Sequence, residues 1–461
     1  MGFCDASPCR RGRLQPGQWI LLAVIAVLLT ACAGPRTTGL GYIYADQREE
    51  QQPPVIVIPG LMGSTLSSQK TGEVVWGTGI WNLVMGVGME GLGLPIEHLD
   101  FRKNQDELMP TGIIFGPFTE DYYESLVNTL EEAGGYSCRL PRELSAETDC
   151  VLFPWDWRRD LVEAAARLDR LIERIRSLQQ DPALEVDLIG HSAGGLVARY
   201  YVRFASRDVL DRPTETVEVD YAGADKVRKA ALIATPNFGS IFGLQRVMRG
   251  YRVGLTWMRV DLIATMPSVY QLLPHPDRAW MIDLHGRRLE RDLYEPETWR
   301  RFQESIFDPS LRQRLIEGMD EDVARRGLQA LDRFFARALR RGERFQRALS
   351  LQAGTPDVAY MALGGDCIPT PALCLLEPTE EGERIRLYPD DVAHPLPDVD
   401  YERLMLDPGD GRVTRSSMLS RNSLDEPEPF HLRQVTVTCH NHFEMPANAV
   451  VRHNLLNFLL Y

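Results

Sequence analysis

The sequence predicts a mostly parallel α/β sheet carrying a helical cap and a long loop insertion. Three observations predict it: short β-branched runs bounded by turn residues, helical-period segments alternating with them, and an Arg-rich helical stretch interrupting the alternation. Val55 to Ile58, ended by Pro59-Gly60, suits a buried strand running into a turn. From Asp160 to Gln179, the residues Leu161, Leu168, Leu171, Ile172, Ile175 and Leu178 recur at helical spacing, with Arg and Glu on the other face. Asp181-Pro182 stops that helix, and Val186 to Ile189 begins a strand with helix resuming at Ala193. Ala230 to Ala234 is a further strand, closed by Thr235-Pro236.

Residues 241–355 read mainly as helix. The stripe Leu328, Leu331, Phe334, Phe335 and Leu339 marks the inner face of a cap inserted into the sheet. Strands resume from Val358 to Leu363 and from Val435 to Thr438, and an amphipathic helix closes the chain. The core is thus expected in two parts, residues 54–240 and 356–461. Residues 64–118 are different in character: Trp76, Ile80, Trp81, Leu83, Val84 and Met85 sit among glycines with no clean period. Two readings stand open there, a glycine-rich loop packing on its own aromatics and an apolar lid over a site.

With 461 residues, 44% hydrophobic and 25% charged, the chain has enough apolar content for a sizeable core. The net charge of −13 leaves no basic footprint for nucleic acid. Arg10, Arg11 and Arg13 precede an apolar run from Trp19 to Leu29 that is short for a bilayer span. The run closes on Leu29-Thr30-Ala31-Cys32, which resembles a bacterial lipoprotein cleavage site. Residues 1–31 are therefore expected to be a signal peptide, Cys32 the lipidated residue, and residues 32–53 a tether. Ala33, rather than Asp, after the cysteine implies the outer membrane by the same resemblance. An exported chain can form disulfides. Proximity in sequence favours Cys138 with Cys150 and Cys367 with Cys374, leaving Cys439 as a buried free thiol.

Gly190-His191-Ser192-Ala193-Gly194 is the most informative motif, because a strand leads in and a helix leads out. In that setting a strained turn exposes a serine hydroxyl above the sheet, and Ser192 is the candidate nucleophile. A serine needs a base. His442 lies just after the last strand and is preferred to His440, two residues earlier; His191 is read as a structural neighbour. Two carboxylates suit the third position, Asp366 in Gly364-Gly365-Asp366 and Asp410 in Pro408-Gly409-Asp410-Gly411, and spacing does not choose between them. Ala193 and Leu61 are the candidate backbone donors for an oxyanion hole. Neither paired metal-ligand histidines nor a phosphate-cradling loop is present, so no cofactor or metal is expected.

These motifs together resemble the lecithin:cholesterol acyltransferase family of the α/β-hydrolase superfamily, which includes lysosomal phospholipase A2 and the phospholipid:diacylglycerol acyltransferases. Pro54 to Gly60 is similar to that family's first strand and oxyanion loop, and Pro154-Trp-Asp-Trp-Arg158 to its Tyr-Asp-Trp-Arg element. Asp187 to Gly194 resembles its nucleophile elbow, Thr235 to Ser240 its Pro-Trp-Gly-Gly-Ser turn, and Ile368-Pro-Thr-Pro371 its Val-Pro-Thr-Pro. The resemblance implies Asp410 as the acid and His442 as the base. Leu61 departs from the polar residue many relatives carry, Arg412-Val413 stands where relatives often have Thr-Val, and no cysteine lies between residues 60 and 120.

The implied function is a serine acyl hydrolase or acyltransferase on phospholipid or other lipid esters, held at a membrane by its anchor and touching it through the lid. The alternatives are a carboxylesterase or thioesterase on small esters, and a non-catalytic surface lipoprotein.

Overall fold

Val55–Ile58 is β-branched on both faces, the pattern of a strand covered on both sides, and all four residues are buried. The computed structural model describes residues 52–77, 89–115, 123–253, 256–380, 382–421 and 430–461. In it Val55–Ile58 (β1) lies inside a seven-stranded, wholly parallel sheet. The other members are β2 (Cys138–Arg139), β3 (Cys150–Leu152), β4 (Val186–His191), β5 (Val227–Ile233), β6 (Ala359–Gly365) and β7 (Leu432–Thr438). Their order across the sheet is β7-β6-β5-β4-β1-β3-β2. The order reverses at β1, between β3 and β4, and such a reversal opens a crevice beyond the carboxyl ends of the strands.

Helix α1 (Leu161–Gln179) begins where Asp160 accepts the Val162 amide at 2.8 Å and ends at Gln180 in a left-handed conformation. Its periodic Leu161, Leu168, Leu171, Ile172 and Ile175 are all buried. Helix α2 (Ala193–Phe204) follows β4 directly, and α3 (Ile241–Arg249) follows β5 after a turn capped by Ser240. The insertion between β5 and β6 is mainly helical and ends in α4 (Glu321–Ser350), whose Leu331, Phe334, Phe335 and Leu339 are buried. Phe335 meets the edges of Tyr270, Trp299 and Phe307 at 5.3–5.5 Å between ring centres. Buried Arg341 of α4 pairs with Asp160 and, at 2.7 Å, with Asp208, which ties the cap to the start of α1. Helix α5 (Ala449–Leu460) closes the chain.

The stretch after β1 differs from the aperiodic loop expected there. Ser64–Ser68, Val74–Trp76 and Leu108–Ile113 form a three-stranded antiparallel sheet with Trp76 buried. Ser64–Ser68 and Leu108–Ile113 are rich in Ser, Thr, Gly and Pro, so they lack the β-branched alternation that signals a strand, and Val74–Trp76 is only three residues long. Their side chains are held by hydroxyl pairs instead, Thr111 bonding both Thr65 at 3.1 Å and Ser67 at 2.8 Å. Ile80, Trp81, Leu83, Val84, Met85 and Cys32 lie outside the described residues. Among the described residues no helix is long and apolar enough to cross a membrane.

The expected Cys367–Cys374 bridge is not formed. Cys138 is joined to Cys150, and Cys367 is joined to Cys439 with their Cα atoms 5.4 Å apart. Strand register is the reason. Pairing of β6 with β7 sets Gly365 opposite Thr438, which brings the residues just beyond both strand ends together. Cys374 instead starts a strand (Cys374–Thr379) in a separate three-stranded sheet, where it is a buried free thiol. The Cys367–Cys439 bridge closes a 72-residue separation. Replacing Cys439 by Ser should cost about 4 kcal/mol by loop-closure entropy, read as a lower urea midpoint, while Cys374→Ala should shift it far less.

Candidate active site

Ser192 sits between the end of β4 and the first turn of α2, with φ 52° and ψ −122°. A non-glycine residue in that region is strained, and the strain holds the side chain clear of both elements. Two glycines permit the tight turn. A Cβ on Gly190 would lie 2.5 Å from the Gly195 Cα, and one on Gly194 would lie 2.2 Å from the Ile58 carbonyl oxygen. The elbow therefore rests against the end of β1, and the Ser192 hydroxyl stays partly accessible.

The structure brings Ser192, His442 and Asp410 together in a line. His442 Nε2 lies 2.9 Å from the Ser192 hydroxyl, and its Nδ1 lies 2.8 Å from the Asp410 carboxylate. His442 stands four residues past the end of β7, and its backbone N–H donates to the Asp410 carbonyl at 3.0 Å. The second carboxylate oxygen of Asp410 accepts the amides of Val413 at 2.8 Å and Arg412 at 3.0 Å. Burial would raise this carboxyl, but His442 and the two amides outweigh it and hold it below the usual carboxylate range. The acid turn is braced from below: Thr370 Oγ1 accepts the Gly411 amide at 2.8 Å, in the strand pair Ile368–Pro371 with Leu406–Gly409.

Asp366 and His440, the competing candidates, stand apart from this line. Asp366 lies 3.9 Å from Arg415, and His440 Nδ1 contacts Thr438 and Asn448. Leu61 follows Gly60 in the turn after β1. Gly60 C=O accepts the Gly63 N–H at 3.0 Å, so across the trans peptide the Leu61 N–H faces out of the turn. Ala193 opens α2, where the first amides of a helix lack internal partners. The loop bearing Leu61 is anchored by Trp155, whose indole donates to the Pro59 carbonyl at 2.8 Å, and Trp155 N–H itself donates to Ser64 Oγ at 3.1 Å. Fully buried Arg158 completes that anchor through Asp156 and Asp106.

Two groups not singled out as functional in the sequence also belong to the site. Buried Tyr123 contacts both Gly60 and His191, and His191 reaches the His442 carbonyl. Tyr123 lies in no motif, so only its position in space marks it. Arg412 lays its guanidinium 4.3 Å from the centre of the Phe443 ring and 3.9 Å from that of Phe242.

A parallel sheet with a strained serine elbow after β4 and a histidine after the last strand is the arrangement of an α/β-hydrolase. Residues 119–307, the segment that carries the elbow, match the model of the family Lecithin:cholesterol acyltransferase, and over that segment the chain is similar to that family. Among solved structures, the chain is similar to one in the crystal structure of the Tle4–Tli4 complex, with a TM-score of 0.53 and 15% identity over 88% of this chain and 98% of that one. At that identity the likeness speaks for the fold alone. Bacillus licheniformis lipase BlEst2 in mature form aligns with a TM-score of 0.35 and 10% identity, over 88% of this chain and 92% of that one. No curated protein matches this chain in sequence. The family match and the fold together support a hydrolase or acyltransferase.

Proposed function

We propose that the chain is a serine-dependent acyl hydrolase or acyltransferase acting on phospholipid or other lipid esters. The observation that supports it most is the hydrogen-bonded line Ser192–His442–Asp410, at 2.9 and 2.8 Å. In the first half-reaction His442 Nε2 takes the hydroxyl proton as Ser192 Oγ attacks the ester carbonyl. Negative charge gathers on the carbonyl oxygen, where the Ala193 and Leu61 amides donate to it. Collapse breaks the bond to the leaving alcohol, which receives the proton from His442, and an acyl-enzyme remains. In the second half, water or a lipid alcohol gives its proton to His442 and takes the acyl group, restoring the serine. Asp410 holds the imidazole with Nδ1 protonated and balances its charge when both nitrogens carry protons.

A phosphodiester-bearing lipid is favoured over a neutral ester by the surroundings of the base. Arg412 and Arg246 both stack on Phe242, at 3.9 and 4.5 Å, and among the described residues neither forms a salt bridge with a carboxylate. Arg412, half-buried and 4.3 Å from the ring centre of Phe443, the residue after His442, suits the phosphate of a head group. Cys32 as a lipidated anchor at the outer membrane belongs to the same proposal and rests on the sequence pattern of residues 10–33.

The test is the full-length chain, beside Ser192→Ala, on phosphatidylcholine vesicles containing a sterol or diacylglycerol, with products followed by mass spectrometry. Serine-dependent acylated acceptor identifies a transferase, and free fatty acid alone identifies a phospholipase. Absence of both overturns the lipid reading and points to small esters or to a binding role.

A further inference from the structure

His191 and Tyr123 form a buried chain of hydrogen bonds whose direction is set by chemistry alone. His191 Nε2 lies 3.2 Å from the His442 carbonyl oxygen, and a carbonyl only accepts, so Nε2 carries the proton. A neutral imidazole protonated there has a lone pair on Nδ1, which lies 2.7 Å from the Tyr123 hydroxyl. The phenol must therefore donate to it, and the same phenol oxygen accepts the Gly60 N–H at 2.8 Å. Every donor and acceptor is matched in one sense, from Gly60 through Tyr123 and His191 to His442. Burial, with the neighbouring His442 adding to it, pushes the His191 imidazole down to about 3, which keeps it in the neutral form this chain needs.

The two ends of the chain are the two halves of the proposed machinery. Gly60 precedes Leu61, whose amide is the second oxyanion donor, and Gly60 is held on both sides, its N–H by Tyr123 and its C=O by Gly63. His442 is likewise held on both sides of its backbone, its N–H by Asp410 and its C=O by His191. Packing agrees. A Cβ on Gly60 would lie 3.0 Å from Ser192 Cβ and 3.2 Å from His191 Nδ1, so the oxyanion loop crosses directly over the elbow. The rings of His191 and His442 are 5.2 Å apart, and those of Tyr123 and His191 5.6 Å.

We infer that Tyr123 and His191 are positioning residues that lock the oxyanion loop and the base-bearing loop into one register, so that hole and base are correctly placed together. This rests on Ser192 and His442 being the catalytic pair. Tyr123→Phe keeps the ring and removes the hydroxyl, leaving the Gly60 N–H and His191 Nδ1 without their partner. Small misplacement of reacting groups costs rate rather than affinity. On p-nitrophenyl butyrate, with active sites counted by fluorophosphonate labelling, kcat should fall about tenfold while KM stays within about twofold. His191→Phe keeps a ring but neither donates to the His442 carbonyl nor receives from Tyr123. Adding Tyr123→Phe to it should therefore lower kcat by less than about twofold more, as expected for two members of one chain.

An unchanged kcat in Tyr123→Phe, or full additivity of the two substitutions, would overturn the inference. A second measurement needs no variant beyond one that assigns the signal. Nitrogen-15 NMR of histidine-labelled wild-type protein should show His191 neutral and protonated on Nε2 from pH 5 to 8. A proton on Nδ1, or titration within that range, would also overturn it. If wild-type protein neither turns over the ester nor reacts with fluorophosphonate, the proposed function fails, and the NMR signature still decides whether the chain of bonds exists.

Discussion

Ser192→Ala should abolish turnover while leaving the fold intact, with kcat reduced by about four to six orders of magnitude. The size follows from the mechanism: without Oγ no acyl-enzyme forms, and only the oxyanion donors and substrate binding still favour reaction. The intact fold follows from local geometry. Alanine and serine face the same cost at φ 52°, so the substitution adds no backbone strain. The hydroxyl makes one hydrogen bond to another side chain, to His442 Nε2, and the imidazole keeps its other bond, to Asp410, when that one is lost. The unfolding midpoint should stay within a degree or two of wild type. Thermal unfolding, ester turnover and fluorophosphonate labelling on the same preparation check both halves of the expectation. Residual turnover above about one part in a thousand would mean that another nucleophile carries the reaction.

Local chemistry decided what was legible in the sequence. The elbow could be read because strand, glycine, serine and helix follow one another within a few residues, and each needs only its neighbours to be recognised. Helix α1 could be read for the same reason, its apolar stripe running from a capping Asp160 to a stop at Asp181-Pro182. The acid could not be chosen on spacing, since Asp366 and Asp410 both follow strands and both precede His442. What separates them in space is the excursion from Ile368 to Gly409, which folds back as a strand pair and lifts Asp410 to the imidazole. The disulfide expectation failed on the same ground. Seven residues separate Cys367 from Cys374 in sequence, yet the register of β6 against β7 sets Cys367 beside Cys439. The small sheet after β1 was hidden by its own composition, because Ser64–Ser68 and Leu108–Ile113 are stabilised by hydroxyl pairs and a buried tryptophan rather than by alternation. Tyr123 had no signal at all. A phenol is marked as a candidate positioning group only through the two partners the fold gives it, Gly60 and His191.

Asp410→Asn should lower kcat by about 10⁴-fold with little change in KM, through a change of tautomer rather than a loss of shape. Asparagine is nearly isosteric with aspartate, and the Val413 and Arg412 amides, which donate to one carboxylate oxygen, require an acceptor there. They orient the new side chain with its carbonyl oxygen toward themselves and its NH₂ toward His442 Nδ1. An NH₂ is a donor, so Nδ1 must present a lone pair and the imidazole proton moves to Nε2. Nε2 is the nitrogen that faces Ser192 at 2.9 Å, and once protonated it can no longer take the hydroxyl proton. The imidazole itself stays in place, because its backbone N–H is held by the carbonyl of residue 410 and its C=O by His191. Asp410→Ala should differ in kind, since it leaves the Val413 and Arg412 amides unpaired and frees the acid turn, lowering stability as well as rate. Nitrogen-15 chemical shifts of His442 in wild type and in Asp410→Asn check the tautomer directly. A wild-type pattern in the asparagine variant, with activity nonetheless lost, would mean that the carboxylate acts by its charge and not by orienting the base.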